Sequence, residues 1–172
     1  VSGSRENLDR DKGDLWDSGK VASDRSIQVE YAGKPLASYQ DCFWKARVWD
    51  VNDQPSAWSE PAAWSMGILQ DNEWNARWLC FPKADASEGN APDKPAPLPI
   101  FRRGFSIGKE IKQARIYVCG LGFYELRLNG KKVGDAMFDP GWTNYKKTCL
   151  YSTYDVTEQL RAGENALGVM LG

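Results

Sequence analysis

In residues 26–31, SIQVEY, the apolar Ile27, Val29 and Tyr31 alternate with Ser26, Gln28 and Glu30. That period of two lays an apolar face and a wet face along a β-strand. Residues 42–51 alternate again, with Trp44, Ala46 and Val48 on one side and Lys45 and Arg47 on the other. A turn is predicted at residues 52–56, and a further strand at 62–69, just after Pro61, a residue suited to a strand start rather than a strand centre. Residues 1–13 are mostly polar and charged.

Beyond residue 70 the pattern changes. Residues 74–81 predict a first strand of a second module, followed at 83–99 by an insert with four prolines and no periodicity, expected to be a solvated, disordered-like loop. Strands are expected at 100–107, 114–119, 123–128 and 131–133. Asn129-Gly130 supplies the positive φ angles of a two-residue hairpin turn. A strand at 148–156 leads to a one-turn helix over about 158–161, capped by Thr157 and terminated by Gly163. The last strand, 166–171, puts Leu167, Val169 and Leu171 on one face.

Composition narrows the chemistry. The 172 residues are 42% hydrophobic with mean hydropathy −0.55, an ordinary globular balance. A net charge of −1 with both signs interspersed leaves no footprint for nucleic acid or for an anionic membrane, and neither is an expected partner. The chain has no histidine, which removes the commonest general base and every Ser-His or Cys-His nucleophile pair. Cys42, Cys80, Cys119 and Cys149 are widely spaced, against a zinc or CxxC redox site. They predict buried free thiols, with a Cys119–Cys149 bridge as the alternative. No apolar run approaches ~20 residues and Val1 opens no charged-then-apolar leader, so neither a spanning helix nor a signal peptide is read. Among the aromatics, Trp44, Trp64 and Trp78 are expected in the core, Trp49 at a seam between modules, and Trp16 and Trp58 at sandwich ends.

LWDSGKV at residues 15–21, WKARVWD at 44–50, WSEP at 58–61, then ARIYVCGLGFYELRLNGKKVGD, DPGWTNY and YDVTEQLRAGENALGVMLG, occur in this order over nearly the whole chain. Together they resemble the N-terminal half of bacterial α-L-rhamnosidases, glycoside hydrolase family 78. The resemblance implies an all-β chain: a fibronectin-type-III-like sandwich at residues 1–70, then a jelly-roll, carbohydrate-binding-like β-sandwich at 71–172. A fibronectin-like sandwich needs about 100 residues and seven strands, and a jelly roll about eight strands. Both modules are therefore expected to be incomplete, the first lacking early strands upstream of Val1 and the second its C-terminal end; residues 1–13 resemble the loop that follows an early strand pair in the family, so a loop is expected there. In the family such modules precede a helical (α/α) barrel that carries the catalytic carboxylates and hydrolyses terminal α-L-rhamnosides by inversion. The implied partners are that barrel, from the same parent chain, and rhamnose-containing glycans. No catalytic residue is carried over; Glu125, Asp135 and Asp139 single out no acid/base pair and read as strand-surface and turn carboxylates.

The sharper candidate is the loop at residues 139–145, which sets oxygen donors beside flat aromatic faces. The family's second module is similar to a rhamnose-binding module that is calcium-assisted in some members. Asp139 and Asn144 are thus candidate calcium ligands, and Trp142 and Tyr145, with Asp139 and Asn144, candidate sugar contacts. No other cofactor is expected. The plainer alternative is a Pro140-Gly141 turn, with Trp142 and Tyr145 covering the sheet end. Two rival functions stay open on sequence: a non-enzymatic carbohydrate-binding or adhesion module, and a hydrolase of different sugar specificity, such as a β-galactosidase-type enzyme with a similar LNG hairpin.

Overall fold

The computed structural model describes residues 1–80 and 98–172. The chain forms two compact units, Val1–Arg77 and Trp78–Gly172. Its architecture is nearly all β, in antiparallel sheets.

The first unit begins with a helical turn where a loop is expected. Ser4 Oγ accepts the Asn7 N–H at 3.2 Å and caps α1 (Arg5–Asp9), whose Leu8 is buried. A serine cap with Glu6 in the first turn is a helix-start signal, though five residues with one apolar side chain give no periodicity to reveal it. Strands β1 (Asp41–Trp44) and β2 (Ala62–Ser65) pair antiparallel with Cys42 opposite Trp64, and Cys42 is fully buried. Ser2 extends this sheet by a bridge to Phe43, with backbone bonds of 2.8 and 2.9 Å.

Three strand expectations in this unit are corrected. Residues 26–31 form no strand: Ile27 is 72% exposed and Gln28 takes a left-handed φ of 55°. The strand expected at 42–51 leaves regular pairing after Trp44. Beyond it, Ser59 and Ser56 hydroxyls accept the Ala46 and Val48 N–H groups at 3.1 and 3.2 Å, so serine oxygens stand where backbone carbonyls complete a ladder. The expected apolar face is lost there, and Val48 is 69% exposed. The strand at 62–69 stops at Ser65.

The tryptophans expected in the core depart from it as well. Trp44 and Trp78 are exposed rather than core, and Trp64 is half-buried. Trp49 bridges to Pro55 within its own unit, and the Arg47 guanidinium lies 5.0 Å from its ring and 4.6 Å from that of Trp58. Both rings thus carry cation–π contacts. Residues 74–80 form no strand; a 3-10 turn at Asp71–Glu73 precedes them, its Glu73 carboxylate accepting the Gln70 N–H at 3.2 Å. Residues 83–97 of the expected insert lie outside the described residues.

The second unit is a two-sheet sandwich. It is built from β3 (Ile100–Ile107), β4 (Arg115–Val118), β5 (Tyr124–Leu128), β6 (Lys131–Lys132), β7 (Ser152–Asp155) and β8 (Gly163–Leu171). One sheet runs β3-β8-β5-β6 and the other pairs β4 with β7. Alternation along β5 turns Tyr124, Leu126 and Leu128 inward, where they cluster with Val133 and Val156. Ile116 and Val118 of β4, Tyr154 of β7, and Leu167, Val169 and Leu171 of β8 pack against that cluster. Each fully buried aliphatic side chain contributes about 1.5–3 kcal/mol, so this face dominates the unit's stability.

Asn129 and Gly130 have φ of 52° and 82°, the doubly positive turn that matches strand twist, and they join β5 to β6 as the sequence predicts. The short helix is instead a 3-10 turn at Thr157–Gln159, and Thr157 does not cap it. The Thr157 hydroxyl and N–H both donate to Asp155 Oδ1, at 2.6 and 3.0 Å, which holds the Asp155 carboxyl below its ordinary range. Gly163, with φ 81°, opens β8 three residues earlier than expected, whereas β7 is confined to Ser152–Asp155. All four cysteines are free: Cys42 is buried and Cys119 half-buried, but Cys80 and Cys149 are exposed, against expectation. Among the described residues no helix is long and apolar enough to cross a membrane.

Candidate functional site

The loop between β6 and β7 is anchored by Asp139. Its carbonyl accepts the Tyr124 N–H at 3.1 Å, which ties it to the start of β5. Its Oδ1 accepts the Ser152 hydroxyl at 2.7 Å, and its Oδ2 accepts the hydroxyls of Tyr154, in a short bond, and of Tyr124, at 3.4 Å. One carboxylate therefore fastens the loop to both sheets of the sandwich. The Asp139–Pro140 peptide is cis, and the chain bends at the buried Pro140. Burial pushes the Tyr124 hydroxyl up to about 12, with a Ser152 hydrogen bond opposing and the Asp139 charge adding to the rise. Tyr124 thus stays protonated and able to donate at neutral pH.

Past the turn, Trp142 is 81% exposed. Neighbouring bonds fix the backbone that carries it. The Thr143 hydroxyl donates to the Thr148 carbonyl at 2.5 Å, and the Asn144 carbonyl accepts the N–H groups of Lys147 and Thr148 at 2.8 and 3.0 Å. Asn144 Oδ1 accepts the Lys146 N–H at 3.1 Å. Tyr145 is half-buried, and its carbonyl accepts the Cys149 thiol at 3.7 Å. Near the start of β5, Phe123 packs against Phe138 with tilted rings and centroids 5.0 Å apart.

Of the four sequence candidates, Trp142 alone presents an open ring face, while Asp139 faces inward, Asn144 closes a local turn and Tyr145 is partly covered. The chain bends at Pro140, and Trp142 does not cover the sheet end. Glu125 pairs with Arg127 at 2.6 Å, and Asp135 lies exposed after β6.

Calcium takes six to eight oxygen ligands. Both carboxylate oxygens of Asp139 are already occupied by hydroxyl donors, and the Asn144 side-chain oxygen is spent on Lys146. Among the described residues no group of three or more His, Cys, Asp or Glu is placed to hold a metal. The donor set does not fit calcium. Sequence reasoning also missed Tyr124, Ser152 and Tyr154 as the anchors of Asp139; the inward parity of the two tyrosines in their strands is the signal that finds them.

Residues 3–70 match the family model of the Rha78A-like, N-terminal immunoglobulin domain, and residues 109–172 that of the α-L-rhamnosidase N-terminal domain. The immunoglobulin-like description and the expected fibronectin-like one are two forms of the same antiparallel sandwich architecture. The chain is 40% identical over its full length to an α-L-rhamnosidase of Formosa agariphila, of which it covers 20%. It is 38% identical over 92% of its length to one from Alteromonas sp., of which it covers 17%. Among solved structures it resembles an α-L-rhamnosidase from Dictyoglumus thermophilum, with TM-score 0.87 and 40% identity over 99% of this chain and 20% of that one. It also resembles one from Aspergillus terreus, with TM-score 0.72 and 30% identity over 88% of this chain and 17% of that one. The chain spans about a fifth of the length of these relatives. With an immunoglobulin-like module at residues 3–70 and the α-L-rhamnosidase N-terminal domain at 109–172, this chain matches the N-terminal region of α-L-rhamnosidases.

Proposed function

We propose that this chain is the non-catalytic N-terminal part of a glycoside hydrolase that removes terminal α-L-rhamnose by inversion. The observation that carries the reading is 40% identity across the whole chain to a protein named α-L-rhamnosidase, of which the chain spans one fifth. In this reading the remaining length supplies an (α/α) barrel with the acid and the water-activating base, and the two β units buttress it.

A sugar contact at the loop belongs to the same proposal. Trp142 stacks on the apolar face of a rhamnose ring, Tyr145 and Asn144 flank it, and Asp139 holds the loop from behind rather than binding sugar or metal. Such stacking needs a rigid, exposed ring, and the anchored turn provides one.

The test is to assay the full-length parent on aryl α-L-rhamnoside and aryl β-galactoside, following the first-formed anomer by NMR. Rhamnoside cleavage with inverted product is expected, along with an inert Val1–Gly172 chain. Cleavage of galactoside alone, or turnover by this chain by itself, overturns the reading. Titration of the chain with L-rhamnose tests the loop. A heat signal lost in Trp142→Ala and indifferent to calcium is expected, and no binding at millimolar sugar removes the loop from the proposal.

A further inference from the structure

At the far end of β5 from the Asp139 anchor, the second unit carries an open depression of about 420 Å³ lined by residues including Arg102, Gly104, Asn129, Arg161, Glu164 and Ala166. Its floor is bare backbone. A Cβ built on Gly104 meets nothing nearer than the Asn165 carbonyl at 3.9 Å, so the strand surface there is open. Its wall is rigid, because Asn129 and Asn165 spend their amides on one another and on the turn behind them.

The sheet's register sets the charge. Arg102 lies opposite Gly168, Gly168 opposite Arg127, and Arg127 opposite Lys132, so one row across four strands reads Arg, Gly, Arg, Lys on a single face. The two arginine Cα atoms of that row are two strand spacings apart, about 10 Å. The Arg127 guanidinium turns toward the depression, donating to the carbonyl of Gly130 on its rim at 3.1 Å, and is neutralised by Glu125. Arg161 donates its Nε to the Glu164 carbonyl at 2.9 Å, which leaves its terminal nitrogens for a ligand. Arg102 has no hydrogen-bond or ion-pair partner among the described residues. The cavity thus offers two guanidinium groups, one carboxylate as an acceptor for hydroxyls, and no aromatic face.

We infer that this depression is a subsite for an acidic sugar, whose carboxylate or sulfate is held by Arg102 and Arg161 while its hydroxyls donate to Glu164. Without a ring to stack on, a neutral sugar has little to hold it there. Guanidinium forks, in contrast, match planar and tetrahedral oxoanions with two hydrogen bonds each. A metal is poorly served by a single carboxylate between two cations. The choice of a sugar as the carrier of the anion rests on the glycan reading above; the anion itself does not.

The experiment is calorimetric titration of the chain with a digalacturonate, a sulfated disaccharide, inorganic sulfate and a neutral disaccharide, at low and high salt. One or both acidic sugars bind the native chain, and binding weakens as salt screens the exposed charges. Arg102→Gln weakens it roughly tenfold, the loss of one charge-assisted contact. Gly104→Leu, whose side chain enters the space above the strand, abolishes it, and Trp142→Ala leaves it unchanged. A uronate preference assigns the carboxylate as the anion, and a preference for the sulfated sugar assigns the sulfate. Equal binding of the neutral disaccharide, equal binding of free sulfate, loss in Trp142→Ala, or no binding of either acid overturns the inference. So does indifference to Arg102→Gln in a chain whose thermal unfolding is unaltered. Because Trp142→Ala separates the two sites, failure here leaves the rhamnose proposal standing, and the converse holds.

Discussion

Asn129 Nδ2 donates to Asn165 Oδ1 at 2.9 Å, joining a residue of the β5–β6 hairpin to one in β8 that is only 4% exposed. Asn165 Oδ1 also accepts the Arg161 N–H at 3.2 Å, and its Nδ2 donates to the carbonyls of Arg161 and Gly163 at 2.8 and 2.9 Å. Asn165→Ala strands several of these groups away from water and should cost about 3 kcal/mol in urea unfolding of the second unit. Asn129→Gly keeps the positive φ while losing the side-chain bonds, and should cost less, about 1–2 kcal/mol. A shift below about 0.5 kcal/mol for Asn165→Ala shows the network to be dispensable.

Tyr124 gives the second unit an alkaline dependence. Its folded hydroxyl titrates at about 12 against an ordinary 10.0, mainly through burial. The folded state keeps its proton while the unfolded chain loses it, so the contribution is intact below pH 10 and drains away as pH rises toward 12. Urea midpoints at pH 8, 10 and 11 should fall more steeply over the last step in the native chain than in Tyr124→Phe. Matching slopes contradict the assignment.

Gly134 and Gly130 separate strain from collision. Both have positive φ, 74° and 82°, but a Cβ on Gly134 lies 2.6 Å from the Tyr154 ring and one on Gly130 meets nothing within 4 Å. Gly130→Ala should cost about 1 kcal/mol from backbone strain alone. Gly134→Ala should cost about 2–3 kcal/mol and displace Tyr154 from Asp139, seen as a changed near-ultraviolet tyrosine signal. Equal costs at the two positions count against the Tyr154 contact.

Asp139→Ala removes the shared acceptor of three hydroxyls and should cost about 2–3 kcal/mol. It also frees the loop, so limited proteolysis should cut near Trp142 faster than in the native chain, and rhamnose binding should fall with it. Trp142→Ala should leave stability within about 0.5 kcal/mol, since its ring is exposed. Calcium should move the unfolding midpoint of neither protein, and a calcium-induced rise in the native chain restores Asp139 as a metal ligand.

The second unit is the more legible in sequence because its signals reinforce one another. Tyr124, Leu126 and Leu128 alternate, Asn129-Gly130 closes the hairpin, and β8 lies between two partners that fix its register. In the first unit the same alternation misleads. Residues 26–31 have the period of a strand but no strand partner among the described residues, and periodicity cannot supply one. Residues 46–48 do run beside a second segment, yet serine hydroxyls intervene in the ladder. The candidate loop is found from its composition, whereas the direction of Asp139 is not. That direction is decided by Tyr124 and Tyr154, each 15 residues away along the chain, and by the strands that bring them together.

Cys42 is fully buried in β1 and burial raises its pKa, whereas Cys80 and Cys149 meet solvent. Only the thiolate reacts with alkylating reagents. Modification of Cys42 therefore waits for the immunoglobulin-like unit to open, and its rate under pulse labelling clocks that opening separately from any event in the rest of the molecule. The chain carries its own stopwatch for one half of itself, and no introduced probe is needed to ask whether the proposed catalytic domain slows it.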